Sequence, residues 1–258
     1  MDYSLKILYS GSTGNAALLT AGDTAILIDA GRSARALCHA LDCAGVSPDA
    51  LSAIFITHEH QDHTAALDVF LKHHPVPVHA VSASADRIAG RAGEHLRALL
   101  VAHPPLFTET VGNVTLSSFP TSHDSASSVG FRITINGKQP RTVGYATDLG
   151  IVTPTVEQGL MGCEAVVLEC NHDEEMLKTG PYPYDLKRRI ASRRGHLSNT
   201  DCAAFSIRLA ANGMKRLLLA HLSEINNLPE LALGEVRAAL AGTCVHIAAA
   251  SPTEIIEL

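Results

Sequence analysis

Three imidazoles and a carboxylate recur at H-x-H-x-D-H spacing in the run Thr57-His58-Glu59-His60-Gln61-Asp62-His63. Imidazole nitrogen and carboxylate oxygen together suit borderline divalent cations such as Zn²⁺ or Mn²⁺, with Fe²⁺ also admitted. The residues just before, Ala53-Ile54-Phe55-Ile56-Thr57, read as a buried strand. In an extended chain positions i and i+2 share a face, so His58 and His60 point inward together. Asp62 and His63 then open the next helix and face a second point. A solvated His-rich loop is the bland alternative, and it fits poorly straight after a buried strand.

Three later residues have the same setting, each near the end of a strand-like segment. They are His123 in Thr121-Ser122-His123-Asp124, Asp148 in Tyr145-Ala146-Thr147-Asp148-Leu149-Gly150, and His221 in Leu219-Ala220-His221-Leu222-Ser223. Each alone reads as structural; with the first cluster they complete two sites. Two divalent cations about 3.5–4 Å apart lower the pKa of a bound water and polarise the attacked oxygen. Such chemistry needs no Ser or Cys nucleophile, and Gly11-Ser12-Thr13-Gly14 lacks the G-x-S-x-G spacing.

Four further stretches suggest a phosphate substrate. Ser10-Gly11-Ser12-Thr13-Gly14-Asn15 follows the first strand; Ser12 and Asn15 are candidates to meet an anion, or the stretch is an ordinary Gly-rich turn. Glu169-Cys170-Asn171-His172-Asp173 follows a buried strand and brings polar groups to the same rim. Lys187, Arg188, Arg189, Arg193 and Arg194 place five cations within eight residues, suited to phosphates or simply a solvated helix face. Gly195-His196-Leu197-Ser198-Asn199 precedes a helix that Ser198 would cap, with Asp201 three residues on. His196 is the candidate proton donor to a leaving oxygen, or a packed and hydrogen-bonded residue; His172 is a weaker candidate for the same service, and Asp62 is counted as catalytic as well as ligating.

The elements that must position these residues follow from the pattern. Leu5–Tyr9, Asn15–Thr20 and Ala25–Asp29 read as short strands separated by Gly-containing turns. Ser33–Ala44 reads as a helix ending at Gly45, and Thr64–Lys72 as a second helix before a strand at Val76–Ala80. Val111–Ser118, Ser128–Ile135 and Arg141–Thr147 read as consecutive strands, Ala165–Glu169 and Arg216–Ala220 as later ones, and Asn199–Ala211 as a helix. Strands, then βαβ alternation, then the same again suit an α/β (α+β) protein of two mixed sheets packed face to face with helices outside. Polar residues at the strands' carboxyl ends suggest a site on one rim.

Composition sets the bounds. The chain has 258 residues, 46% of them hydrophobic, and is read as one domain over 1–258. A net charge of -6 and a pI near 6.1 do not advertise nucleic-acid binding, although a local basic patch can support it. Trp is absent and aromatics are 4%, which argues against a broad base-stacking platform. Six Cys without a C-x-x-C pair read as free thiols in a reducing compartment. Met1-Asp2-Tyr3-Ser4 has no leader character and no apolar stretch is long enough to span a bilayer, so a cytoplasmic location without a membrane partner is expected. His39, His73, His74, His79, His95, His103 and His246 are expected to be surface or satisfied core residues.

The order Asp29, H-x-H-x-D-H, His123, Asp148, His221 resembles the five motifs of the metallo-β-lactamase superfamily and spans nearly the whole chain. The resemblance implies a four-layer αββα sandwich and two divalent metal ions bridged by a hydroxide. It implies that His58, His60 and His123 hold the first ion, that Asp62, His63 and His221 hold the second, and that Asp148 bridges them. Asp29 would orient the metal loop by hydrogen bonds. The stretches SGSTGN, IFITHEHQDH, SHD, YATDLG, ECNHDEEMLKTGPYP, RGHLSN and LAHLSEINN resemble the YycJ/VicX/WalJ-like branch, which implies a 5′ to 3′ exonuclease acting on double-stranded DNA. The Gly-His-Leu-Ser element is also similar to one in tRNA 3′-processing nucleases and cyclic phosphodiesterases, so a small-molecule or cyclic-nucleotide-type phosphodiesterase is the alternative. A non-catalytic signalling partner is the alternative of another class. Only 72 residues lie between Asp148 and His221, too few for a large inserted domain, so the core fold itself must hold any nucleic acid.

Overall fold

The computed structural model describes residues 3–258; Met1 and Asp2, on which the reading of the chain's start partly rests, lie outside the described residues. Among the described residues, fourteen strands form two seven-stranded sheets. The first sheet takes β1 (Tyr3–Tyr9), β2 (Ala16–Ala21), β3 (Thr24–Ile28), β4 (Ala53–Phe55), β5 (Val78–Val81) and β6 (Leu100–His103). The second takes β7 (Thr108–Val111), β8 (Val114–Pro120), β9 (Val129–Ile135), β10 (Arg141–Ala146), β11 (Ala165–Glu169), β12 (Arg216–Ala220) and β13 (His246–Ala249). The closing strand β14 (Ile256–Glu257) returns to pair with β1.

The two sheets share one plan. β1 to β3 are antiparallel and β3 to β6 parallel; β7 to β10 are antiparallel and β10 to β13 parallel. Antiparallel neighbours close through short turns, whereas parallel neighbours need crossovers, and those crossovers carry helices that cover the outer faces. On the first sheet these are α1 (Ala34–Cys43), the short α2 (Gln61–Thr64), α3 (Leu67–His73), α4 (Ser82–Ala89) and α5 (Glu94–Leu99). The second half adds α6 (Pro154–Leu160), α7 (Glu174–Thr179), α8 (Tyr184–Ile190), α9 (Asn199–Ala211) and α10 (Pro229–Ala239).

Strand alternation divides the core into layers. Ile26 and Ile28 face the second sheet's Phe131, Val143 and Val167, while Leu27 between them packs under Leu37 and Leu41 of α1. Val167 faces inward and Val166 and Leu168 outward, toward Phe205 and Leu209 of α9. Both faces of such a strand are buried, so it reads as an unbroken apolar run. Helices α6, α9 and α10 cover the second sheet. By contrast α8 has no buried residue and stands over the rim.

Expected and observed elements agree closely at β11, β12 and α9, whose bounds coincide. The helix expected over Thr64–Lys72 instead breaks into α2 and α3. Its ladder is interrupted where the Ala66 amide donates to Ala30 O at 2.9 Å, tying the metal loop to the loop after β3. The sequence reading did not anticipate β6, β13 or β14. They are short edge strands with mixed exposure, where local pattern is weakest. No helix among the described residues is long and apolar enough to cross a membrane.

Candidate metal centre

One rim of the sandwich gathers the chemistry. Asp29 follows β3, His58 and His60 lie in the loop after β4, and Asp62 and His63 lie in α2. His123 follows β8, Asp148 follows β10, and His221 follows β12. Asp29, Asp148 and His221 have φ of 62°, 58° and 56°. A left-handed backbone costs a non-glycine residue about 1–2 kcal/mol. Its occurrence three times at one rim marks a place where packing enforces side-chain direction over local comfort.

The side chains converge. Nearest donor atoms of His58, His60 and His123 lie within 4.8 Å of one another, and so do those of Asp62, His63 and His221. Asp148 reaches both groups: Oδ1 is 3.8 Å from His123 Nε2 and 3.6 Å from His221 Nε2, and Oδ2 is 3.3 Å from His63 Nε2. Three of the rings are oriented from behind. His63 Nδ1 is 2.8 Å from Asp29 Oδ2, His123 Nδ1 is 3.1 Å from Gly195 O, and His221 Nδ1 is 3.1 Å from Glu169 Oε1. Every one of these imidazoles therefore turns its Nε2 toward the centre. Asp29 also accepts from the Thr57 amide and hydroxyl, at 2.8 and 2.9–3.0 Å, so it ties the loop after β4 to the end of β3.

Glu169, which the sequence places only among the polar groups of this rim, ties two of its histidines together. Fully buried at the end of β11, it places Oε1 2.7 Å from His196 Nδ1 and 3.1 Å from His221 Nδ1. Its Oε2 accepts from the amides of Leu149, at 2.8 Å, and Leu197, at 3.3 Å. A charged residue closing the apolar run Ala-Val-Val-Leu-Glu was the available signal, since a fully buried carboxylate needs partners.

The electrostatics fit a divalent cation. Burial drives His58 well below the ordinary imidazole value, and neighbouring imidazoles push the same way. Burial also works against charge on His63 and His221, yet carboxylates prevail. Asp29, Asp148 and Asp62 hold His63 well above its usual value, and Asp148, Asp62 and Glu169 raise His221 to about 10. The cluster is thus acidic enough to call for compensating positive charge. His58 Nε2, His221 Nε2 and Asp148 Oδ2 are buried and have no hydrogen-bond partner among the described residues. Orphaned buried donor atoms aimed at one point are what a metal site requires.

Close backbone contact locks the loops together. Asn15 N donates to Asp62 O at 2.8 Å, Gly31 N to Asn15 O at 2.9 Å, and Ala30 N to His63 O at 2.8 Å. A Cβ on Gly31 would lie 2.0 Å from Asp62 O. Gly31→Ala should therefore displace the metal loop, with a stability loss of at least about 1–3 kcal/mol; thermal melting together with bound-metal content checks this.

The remaining candidates divide. Ser12 lines the cleft of about 260 Å³ over the cluster, with His196 and Arg189. Asn15 is buried, and its amide lies 3.1 Å from Gly11 O, 3.3 Å from Asp62 Oδ2 and 3.2 Å from His63 Nε2. It holds the metal loop rather than facing outward to a phosphate. Arg189 pairs with Asp124, and Arg194 donates to His123 O at 3.1 and 3.2 Å, bracing the backbone of that histidine. Arg193 lies on a separate surface hollow with Arg208, while Lys187 and Arg188 line a cavity beyond His196. The basic run is thus not one patch. His172 lines that same cavity and not the cleft over the cluster; burial lowers it to about 4.

A second donor group, His79, His103 and Glu109, lies on β5, β6 and β7. Its rings sit 5.2 Å apart with planes within 18°, and His79 Nδ1 is 2.9 Å from His103 Nε2. Those two nitrogens stand at N–H···N hydrogen-bond distance, so the two histidines satisfy each other, with Glu109 beside them, a neighbour the sequence did not indicate.

A four-layer αββα sandwich with this cluster on its rim defines a metal-dependent hydrolase of the metallo-β-lactamase fold. The beta-lactamase superfamily domain matches residues 24–222. Exodeoxyribonuclease YycJ of Bacillus anthracis is 34% identical over 237 residues, covering 90% of this chain and 87% of the relative. Exodeoxyribonuclease WalJ of Streptococcus pneumoniae is 32% identical over 236 residues, 90% and 86%. Among solved structures, the metallo-β-lactamase fold protein YhfI from Bacillus subtilis superimposes with a TM-score of 0.75 at 19% identity over 99% of each chain, which speaks to the fold alone. The chain belongs to the beta-lactamase superfamily and, within it, to the branch of the YycJ and WalJ proteins.

Proposed function

We propose that this protein is a DNA exonuclease that hydrolyses phosphodiesters of double-stranded DNA from the 5′ end with two divalent ions, Zn²⁺ or Mn²⁺. The observation that carries the reading is 34% identity to an exodeoxyribonuclease across 90% of the chain. His58, His60 and His123 would hold one ion; Asp62, His63 and His221 would hold the other, with Asp148 shared. Held there, such ions would supply an activated water and offset charge on the phosphoryl oxygens. His196, with Nδ1 fixed by Glu169, keeps its Nε2 for the leaving oxygen and gives it a proton. Ser12 and Arg189 line the cleft where the phosphate sits, and Arg189 is steadied by Asp124.

The direct test is degradation of 5′-labelled duplex, single-stranded DNA and RNA with Mn²⁺ or Zn²⁺ supplied. Progressive shortening of duplex DNA is expected. Hydrolysis of small phosphodiesters with every nucleic acid left intact would instead assign a small-molecule phosphodiesterase. The divided basic run makes a second expectation. Arg188→Ala should weaken DNA binding and flatten its salt dependence, because it removes one phosphate contact. Arg194→Ala should instead lower metal content and melting temperature, because it unties His123. Binding measured across a salt series, with metal analysis, separates the two; identical behaviour of both variants would reject the division.

A further inference from the structure

Beyond His196 lies a second cavity, of about 430 Å³, which shares that histidine with the metal cleft. Ser198 and His172 line it together with Leu177 of α7, Tyr184 and Arg188 of α8, and Ala191. Three features suit it to one nucleoside. Its volume is at the low end of the range for small-molecule sites, about 300–1,000 Å³, so a base with its sugar fits and a stacked base pair does not. Part of its wall is apolar and aromatic. Tyr184 is 73% exposed, and the Arg188 guanidinium lies 5.7 Å over its ring. An exposed ring with a cation beside it is a platform on which any base can stack. Finally, His172 is 3% exposed, and its Nδ1 has no hydrogen-bond partner among the described residues. A buried histidine with an unsatisfied ring nitrogen beside the cavity adds a polar group to a partly apolar wall, as small-molecule sites have.

We propose that this cavity receives the terminal nucleoside of the strand under attack, unpaired from its complement, while Lys178, Lys187 and Arg188 meet its phosphates. The inference rests on the phosphodiester reading above and deepens it. With the end base seated beyond His196, the first internucleotide linkage falls over the metal cleft. Hydrolysis then releases one nucleotide at a time. Pairing and stacking lost at the duplex end are offset by contacts with Tyr184 and Leu177. A free mononucleotide offers the same chemistry, so the test must tell the two sources apart.

The probes are 2′-deoxyadenosine 5′-monophosphate and inorganic phosphate, titrated calorimetrically into the full chain. Beside them, 5′-labelled duplexes are degraded whose last pair is matched, mismatched or covalently cross-linked. The nucleotide should bind at least about tenfold more tightly than phosphate. Tyr184→Ala and the cavity-filling Ala191→Trp, both at exposed positions, should each reduce that preference by about tenfold. A mismatched end should speed degradation several-fold, and a cross-linked end should block it. A nucleotide bound no better than phosphate, with DNA degraded regardless of terminal pairing, overturns the proposal and leaves the nuclease reading intact. Tight nucleotide binding that the variants lose, with no DNA degraded, overturns the DNA strand as occupant and assigns the cavity to a free nucleotide.

Discussion

Asp148→Ala should abolish hydrolysis and lower bound metal below two equivalents per chain. Asp148 is the carboxylate common to both donor groups, with oxygens 3.3–3.8 Å from nitrogens of His63, His123 and His221. Without it, two cations held close together there would lose the carboxylate proposed to lie between them, and their mutual repulsion would go uncompensated. His60→Ala should remove activity through the other route, by depleting the trio of His58, His60 and His123. Because His60 is partly exposed while Asp148 is buried, His60→Ala should keep a melting temperature nearer that of the parent chain. Chelation of the parent protein should stop hydrolysis, and added Zn²⁺ or Mn²⁺ should restore it. Metal analysis beside the rate assay decides the matter: full activity in a metal-free sample would sink the central claim.

His196→Ala should lower kcat by about 10²–10⁴-fold, the usual worth of general acid–base catalysis. Metal content should hardly move, since His196 belongs to neither trio. The loss should be smaller on a chromogenic diester whose leaving group needs no proton. Glu169→Gln is expected to behave differently. Its Oε1 meets both His196 and His221, at 2.7 and 3.1 Å, so one substitution would loosen the proposed proton donor and the proposed ligand His221 together. Activity and metal affinity should each drop by about 10–100-fold, as is usual when a carboxylate behind a ligating histidine is lost. Equal loss on both substrates for His196→Ala would remove the proton-donor role and leave that residue a positioning one.

Much of this site is legible in the chain because its chemistry is local. His58, His60, Asp62 and His63 fall within six residues, so a single loop at the end of β4 and the short helix after it bring all four to one place. His123, Asp148 and His221 each follow a strand, and strands are the elements that apolar patterning reveals best. The role of Glu169 escaped because its meaning lies in residues 27 and 52 positions away, His196 and His221. Asn15 in its Gly-rich turn and Arg194 in its basic run suit a phosphate by local pattern. Which way each side chain turns depends on contacts with Asp62, His63 and His123 that no local pattern encodes.

The H-x-H-x-D-H run determined by itself that this protein presents a dense set of metal donors, since residue type and spacing settle that much. Tertiary structure decided what those donors amount to. Only the packing of two sheets brings Asp148 between the two trios and buries Glu169 behind His196. It also disperses the basic run, bracing His123 with Arg194 and leaving Arg188 beside Tyr184 on a separate cavity. The physical reason is that ligand identity is a property of short sequence, whereas burial, orientation and charge compensation arise from neighbours far apart along the chain.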